Sequence, residues 1–128
     1  MKNSRQFALI ITMILFGFTV MISCTHKTDA VPDVSFSKAI MPILTTSCAI
    51  SSACHSGDKN TGDNMNFDSS AAYNTMIAKQ LIKPANATAS LLYVEVSSGI
   101  MPKAPYQSLS ADQINLILNW IKQGGKNN

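Results

Sequence analysis

Five residues separate Cys48 from Cys54, and His55 follows the second cysteine directly. Any fold must bring two thiols and an imidazole this close in sequence into one neighbourhood, and few chemistries use that set. Thiols add covalently to the vinyl groups of a porphyrin, and an adjacent imidazole then holds the iron, as in a c-type haem site. The usual spacing for that chemistry leaves two residues between the cysteines, so this stretch is longer. Ser51, Ser52 and Ala53 are small, which suits a looped-out bulge that returns the Cys48 sulfur to its vinyl group. A Cys48–Cys54 disulfide closing a small loop is the alternative, and it makes His55 incidental. Three zinc ligands are another reading, but no further cysteine or domain histidine completes a closed site.

The chain has three cysteines, and an odd count outside the cytoplasm needs a separate account of the third. Lys2 and Arg5 form a short basic segment ahead of an apolar run from Phe7 to Ile22, broken only by Thr12, Gly17 and Thr19. That pattern is an export signal. Its end, Met21-Ile22-Ser23-Cys24, resembles the lipobox of bacterial lipoproteins, which implies cleavage before Cys24 and acylation of that residue. An uncleaved signal anchor is the other reading. Both place the rest of the chain outside the cytoplasm, on the periplasmic or cell-surface side. The expected organisation is a signal peptide over 1–23, a lipid anchor and tether over 24–34, and a domain over 35–128. The tether is polar, contains Pro32 and lacks periodicity, so His26 reads as a solvated linker residue.

Removing the first 23 of 128 residues leaves 105, enough for one small domain with a modest core. A buried cofactor would help such a domain fold. The net charge of +3 falls to +1 once Lys2 and Arg5 are gone, and the remaining lysines are scattered. No nucleic-acid partner is expected from that distribution.

Phe36, Ile40, Ile43 and Leu44 recur at helical spacing with Ser35 or Asp33 as N-cap, so a first amphipathic helix leads into the cysteine region. If that helix begins near Ser35, Pro42 falls in its second turn, where it would remove a backbone hydrogen bond and bend the helix; a later start makes it harmless. Residues 56–66 are dense in Gly, Asn, Asp and Ser and read as a loop. A second helix is expected from Asp68 or Ser69, with Ala72, Tyr73, Met76 and Ile77 on one face, fading around Gln80 to Pro84. Ser90 to Val96 suits a short helix or a strand. Helix is preferred, since no partner strand is evident. The last helix has the strongest local signal: Ser110 and Gln113 form a capping box, Ile114, Ile117, Leu118 and Ile121 form the apolar stripe, and Gly124-Gly125 stops it.

Four methionines follow the signal peptide, and methionine is ordinarily packing material. Met41 and Met76 belong to helix faces. Met101 differs: it follows Gly99-Ile100, precedes Pro102, and sits in a stiff segment with Pro105 close by. A thioether presented from such a segment is what a sixth iron ligand requires. Met65, in a polar loop near the motif, is the competing candidate. Trp120 reads as core, and Tyr73, Tyr93 and Tyr106 are equivalent candidates for bonding a haem propionate.

The order of these parts resembles the small cytochrome c domains of bacterial exported lipoproteins. It runs from Phe36 to Leu44 into Cys48, Cys54-His55-Ser56-Gly57, then Ser90-Leu91-Leu92-Tyr93, Gly99-Ile100-Met101-Pro102, and Leu109-Ser110 through Ile114, Ile117, Trp120, Ile121 and Gly124. The resemblance spans roughly residues 33–125, and the cysteine spacing is its one departure. It implies an all-α domain of about four helices packed around one covalent haem c, with the first and last helices crossing over one side. Cys48 and Cys54 would bind the haem, and His55 and Met101 would ligate its iron. His/Met ligation leaves no open position, so the expectation is a membrane-tethered electron carrier working with redox partner proteins, and not an enzyme. A peroxidase or sensor with five-coordinate haem requires Met101 to be something other than a ligand. A haem-free lipoprotein binding module, closed by the Cys48–Cys54 disulfide, stays as the alternative.

Overall fold

The computed structural model describes residues 31–58, 60 and 62–128. The expected signal peptide and most of the expected tether, with Cys24 and His26, lie outside the described residues. The folded unit runs from Pro32 to Asn128. It is helical, and no strand occurs among the described residues.

Ser35 caps the first helix, its Oγ accepting from the Lys38 N–H at 3.3 Å. Phe36–Ile40 forms a wide π-helical turn that runs directly into α1 (Met41–Ser47). The widening answers the difficulty at Pro42. Proline brings no N–H and its ring would meet the carbonyl four residues back, so the Met41 N–H reaches instead to Phe36 O and the turn opens around the ring. Phe36, Ile40, Ile43 and Leu44 are all buried, as their spacing predicts.

The next helix, α2 (Ala72–Ala78), begins later than Asp68 or Ser69. Asp68 O does accept from Ala72 N at 2.9 Å, but its carboxylate is engaged elsewhere, accepting from Ser56 Oγ and Gly57 N. Ala72 and Met76 are fully buried and Tyr73 partly so, whereas Ile77 is half exposed. The helix stops where Gln80 turns left-handed (φ 54°), with Gln80 N donating to Ile77 O and Leu81 N to Met76 O.

A 3-10 segment, Pro84–Ala89, precedes α3 (Leu91–Ser97), the helix chosen over a strand from sequence. Ser90 stands at the N-cap position of α3, but its buried hydroxyl accepts from Lys83 N at 2.8 Å rather than capping the helix.

Both bonds of the capping box form at α4 (Ala111–Lys122). Gln113 N donates to Ser110 Oγ at 3.3 Å, and Ser110 N to Gln113 Oε1 at 2.9 Å. At the far end Gly124 N reaches Ile121 O and Gly125 N reaches Trp120 O, a stop that needs the positive φ of both glycines. Ile117, Trp120 and Ile121 are buried, with Ile114 and Leu118 partly so. This helix touches the Phe36–Ile40 turn, the 3-10 segment and α3. Trp120 packs 5.3 Å from the Phe36 ring, between centroids, and its Nε1 donates to Lys126 O. It is core, as expected.

The two ends of the folded unit are stitched together. Val34 N donates to Gln123 Oε1, Gln123 Nε2 to Pro32 O, Phe36 N to Asn128 Oδ1, and both Ser37 N and Ser35 Oγ to Asn128 O.

Candidate functional site

Cys48 closes α1 as its C-cap, its N–H bonded to Leu44 O. The five residues that follow are looped out. Cys54 N donates to Ser51 O at 2.9 Å, Ser56 N to Ser51 O at 3.2 Å, and His55 N to Cys48 O at 3.1 Å. That last bond returns the chain to its starting point, so the long spacer leaves Cys48, Cys54 and His55 on one wall. Ser52 and Ala53 are both exposed, and Ala53 reaches the rim of the same space as the two cysteines.

The wall belongs to a cavity of about 450 Å³, a volume within the ~300–1,000 Å³ common for small-molecule and cofactor sites. Cys48, Cys54, His55, Met65 and Met101 all line it. Every haem-binding residue expected from sequence is therefore gathered in one place, together with the competing methionine. Phe67, Leu81, Leu91, Leu92 and Val96 supply an apolar surface, and Asp63, Glu95, Lys103 and Tyr106 supply polar groups. Of the three tyrosines, Tyr106 alone lines it.

Met101 arrives from the end of α3. The helix stops at Gly99 (φ 73°), and Met101 N then folds back to Glu95 O at 3.0 Å. Leu92 N bonds to Leu81 O at 3.0 Å, which fixes the start of α3 against the segment leaving α2 and sets both leucines in the cavity wall.

The two thiols are free and unlike each other. Cys48 is 8 % exposed, and burial, with the nearby Cys54 thiol adding to it, pushes its pKa up to about 11. Cys54 is half-buried and accepts a weak bond from Ser51 Oγ at 3.7 Å.

His55 is also 8 % exposed. Its Nδ1 is buried without a hydrogen-bond partner, its ring lies 5.0 Å from that of Phe67 between centroids, and its carbonyl accepts from Phe67 N at 2.8 Å. An imidazole with one nitrogen shut away while the ring lines a cavity suits single-point ligation of a metal. The donor set fits a c-type haem: two thiols, one imidazole and two thioethers around a largely apolar space. No three His, Cys, Asp or Glu side chains among the described residues are placed to hold a metal ion by themselves.

Sequence reasoning missed the residues that shape the loop around His55. Asn60 is buried and donates to the carbonyls of Gly57 and Met65, while its Oδ1 accepts from Gly62 N. Phe67 stands in a stretch without apolar rhythm, so only its isolation among polar residues signalled it. Compared with models of protein families, with curated proteins and with solved structures, the chain gives no match.

Proposed function

We propose that this chain is an exported, lipid-anchored monohaem c-type cytochrome that passes single electrons between redox partner proteins. The observation that carries the reading is the convergence of Cys48, Cys54, His55 and Met101 on one cavity of about 450 Å³. A haem bound there supplies one-electron chemistry at its iron. Cys48 and Cys54 would hold the group covalently, and His55 and Met101 would ligate its iron. Phe67, Leu81, Leu92 and Val96 line the cavity and would keep water from the iron, which together with a methionine ligand would favour the reduced state. Lys103 and Tyr106 are the cavity's polar residues suited to carboxylates, so they are assigned to the haem propionates. In this reading the helices form an all-α shell around one haem, and Cys24 carries the lipid.

The competing reading uses the same proximity differently. Cys48 and Cys54 are free thiols lining one cavity, and in an oxidising compartment such a pair can instead form a disulfide in a haem-free binding module. Haem content separates the two. The full chain, made in a host with c-type cytochrome maturation and purified in detergent, is expected to carry haem that survives acid–acetone extraction and denaturing electrophoresis. A colourless protein with Cys48 and Cys54 joined to each other would reject the electron carrier.

A further inference from the structure

Gly62 has no conformational need to be glycine, since its φ lies outside the left-handed range. What it lacks is room. A Cβ built on Gly62 would overlap His55 Nδ1, and it would lie 2.5 Å from His55 Cε1 and 2.6 Å from Cys54 O. No side chain fits between this backbone and the imidazole.

We infer that Gly62 is a positioning residue for His55: its bare backbone covers the Nδ1 edge of the imidazole and thereby selects Nε2 as the nitrogen offered to the cavity. This deepens the haem reading above, on which the identity of the ligated metal rests.

The cover is held in place by its own bonds. Gly62 N donates to Cys54 O at 3.2 Å and to Asn60 Oδ1 at 3.0 Å. Asn60 is fastened in turn, its Nδ2 donating to Gly57 O at 2.6 Å and to Met65 O at 3.1 Å. The loop is therefore tied to the chain on both sides of His55 and closes over one edge of the ring, while Phe67 lies beside it.

Metal-bound histidines generally have the second ring nitrogen fixed by a hydrogen bond to a carbonyl or carboxylate. His55 Nδ1 has no such partner. Orientation here comes from contact, and contact of that kind is lost with a single methyl group on the covering backbone. Asn60 contributes at one remove, since its Oδ1 fixes where the Gly62 backbone sits.

The test reads ring geometry directly and does not depend on electron transfer. In the reduced full-length protein in detergent, a nuclear Overhauser cross-peak is expected between Gly62 Hα and His55 Hε1, with a single set of imidazole nitrogen signals. Gly62→Ala is expected to shift those nitrogen signals, or split them into two sets, and in the haem-loaded protein to raise the high-spin fraction through a weakened axial bond. Asn64→Asp, two residues along, exposed and outside the cavity wall, should leave the ring signals unchanged. The wild-type cross-peak keeps the test decisive even if Gly62→Ala fails to fold. Its absence, or a folded Gly62→Ala protein with unaltered His55 signals, overturns the positioning role. A protein that shows the cross-peak but takes up no haem supports the positioning role and rejects the cytochrome reading instead.

Discussion

Burial makes Cys48 and Cys54 chemically unequal. The thiolate is the reactive form, and Cys48 holds its proton up to about pH 11 inside the wall of the cavity. In haem-free protein, iodoacetamide at pH 8 is expected to label Cys54 well before Cys48, as mass spectrometry of quenched samples will report. The same burial sets a pH dependence. An unfolded thiol titrates near ~8.5, so in the window between there and about 11 the unfolded chain binds fewer protons than the folded one. Stability should be flat below that window and fall as pH rises through it, in urea titrations of the free-thiol form. Fixing Cys48 in a thioether should abolish the fall. Met101 bears the other prediction at this scale. If the proposed haem reading holds, Met101→Ala should remove the near-infrared sulfur-to-iron band of the ferric protein, admit carbon monoxide to the ferrous protein, and lower the reduction potential. Met65 lines the same cavity, so Met65→Ala is the matched control, and an unchanged band in Met101→Ala would transfer the role to Met65.

Among the elements, α4 is the one whose loss would reach furthest, because it touches the first turn, the 3-10 segment and α3 together. Ser110→Ala removes the acceptor for Gln113 N and breaks the capping box at its start. A cost of about 1 kcal/mol is expected, read as a drop in Tm of roughly 4–8 °C for a domain of this size. This helix was legible in sequence because its signals are local: cap, stripe and glycine stop lie within sixteen consecutive residues, 110–125. Elements whose determinants are remote were less so. Asp68 looked like the start of α2, but its carboxylate is drawn to Ser56 and Gly57, eleven or twelve residues back. Ser90 stands at the N-cap position of α3 but satisfies Lys83 N instead of the helix. Ile77 shares its helix with buried Met76, yet it stays half exposed. The candidate site followed the same rule. Cys48, Cys54, His55 and Met101 announce themselves by type and spacing, whereas Gly62 and Asn60 matter only through contacts made after folding.

Across the whole molecule, the closing residues of the chain do structural work at its opening. Asn128 accepts three hydrogen bonds from residues 35–37, and Lys126 O accepts from the buried Trp120 indole. Deleting residues 126–128 leaves those donors without their partners, at ~1 kcal/mol for each bond. A loss of roughly 2–4 kcal/mol is expected, seen as a lower urea midpoint with little change in slope. The same stitching has a mechanical meaning. Tension on the chain upstream enters the folded unit at Pro32, where Pro32 and Val34 are tied to Gln123 and where Ser35, Phe36 and Ser37 are tied to Asn128. Those bonds bridge about ninety residues of sequence, so they take up the load before it can travel along α1 to Cys48. Force applied at Pro32 is thus shared with Gln123 rather than passed on to the histidine.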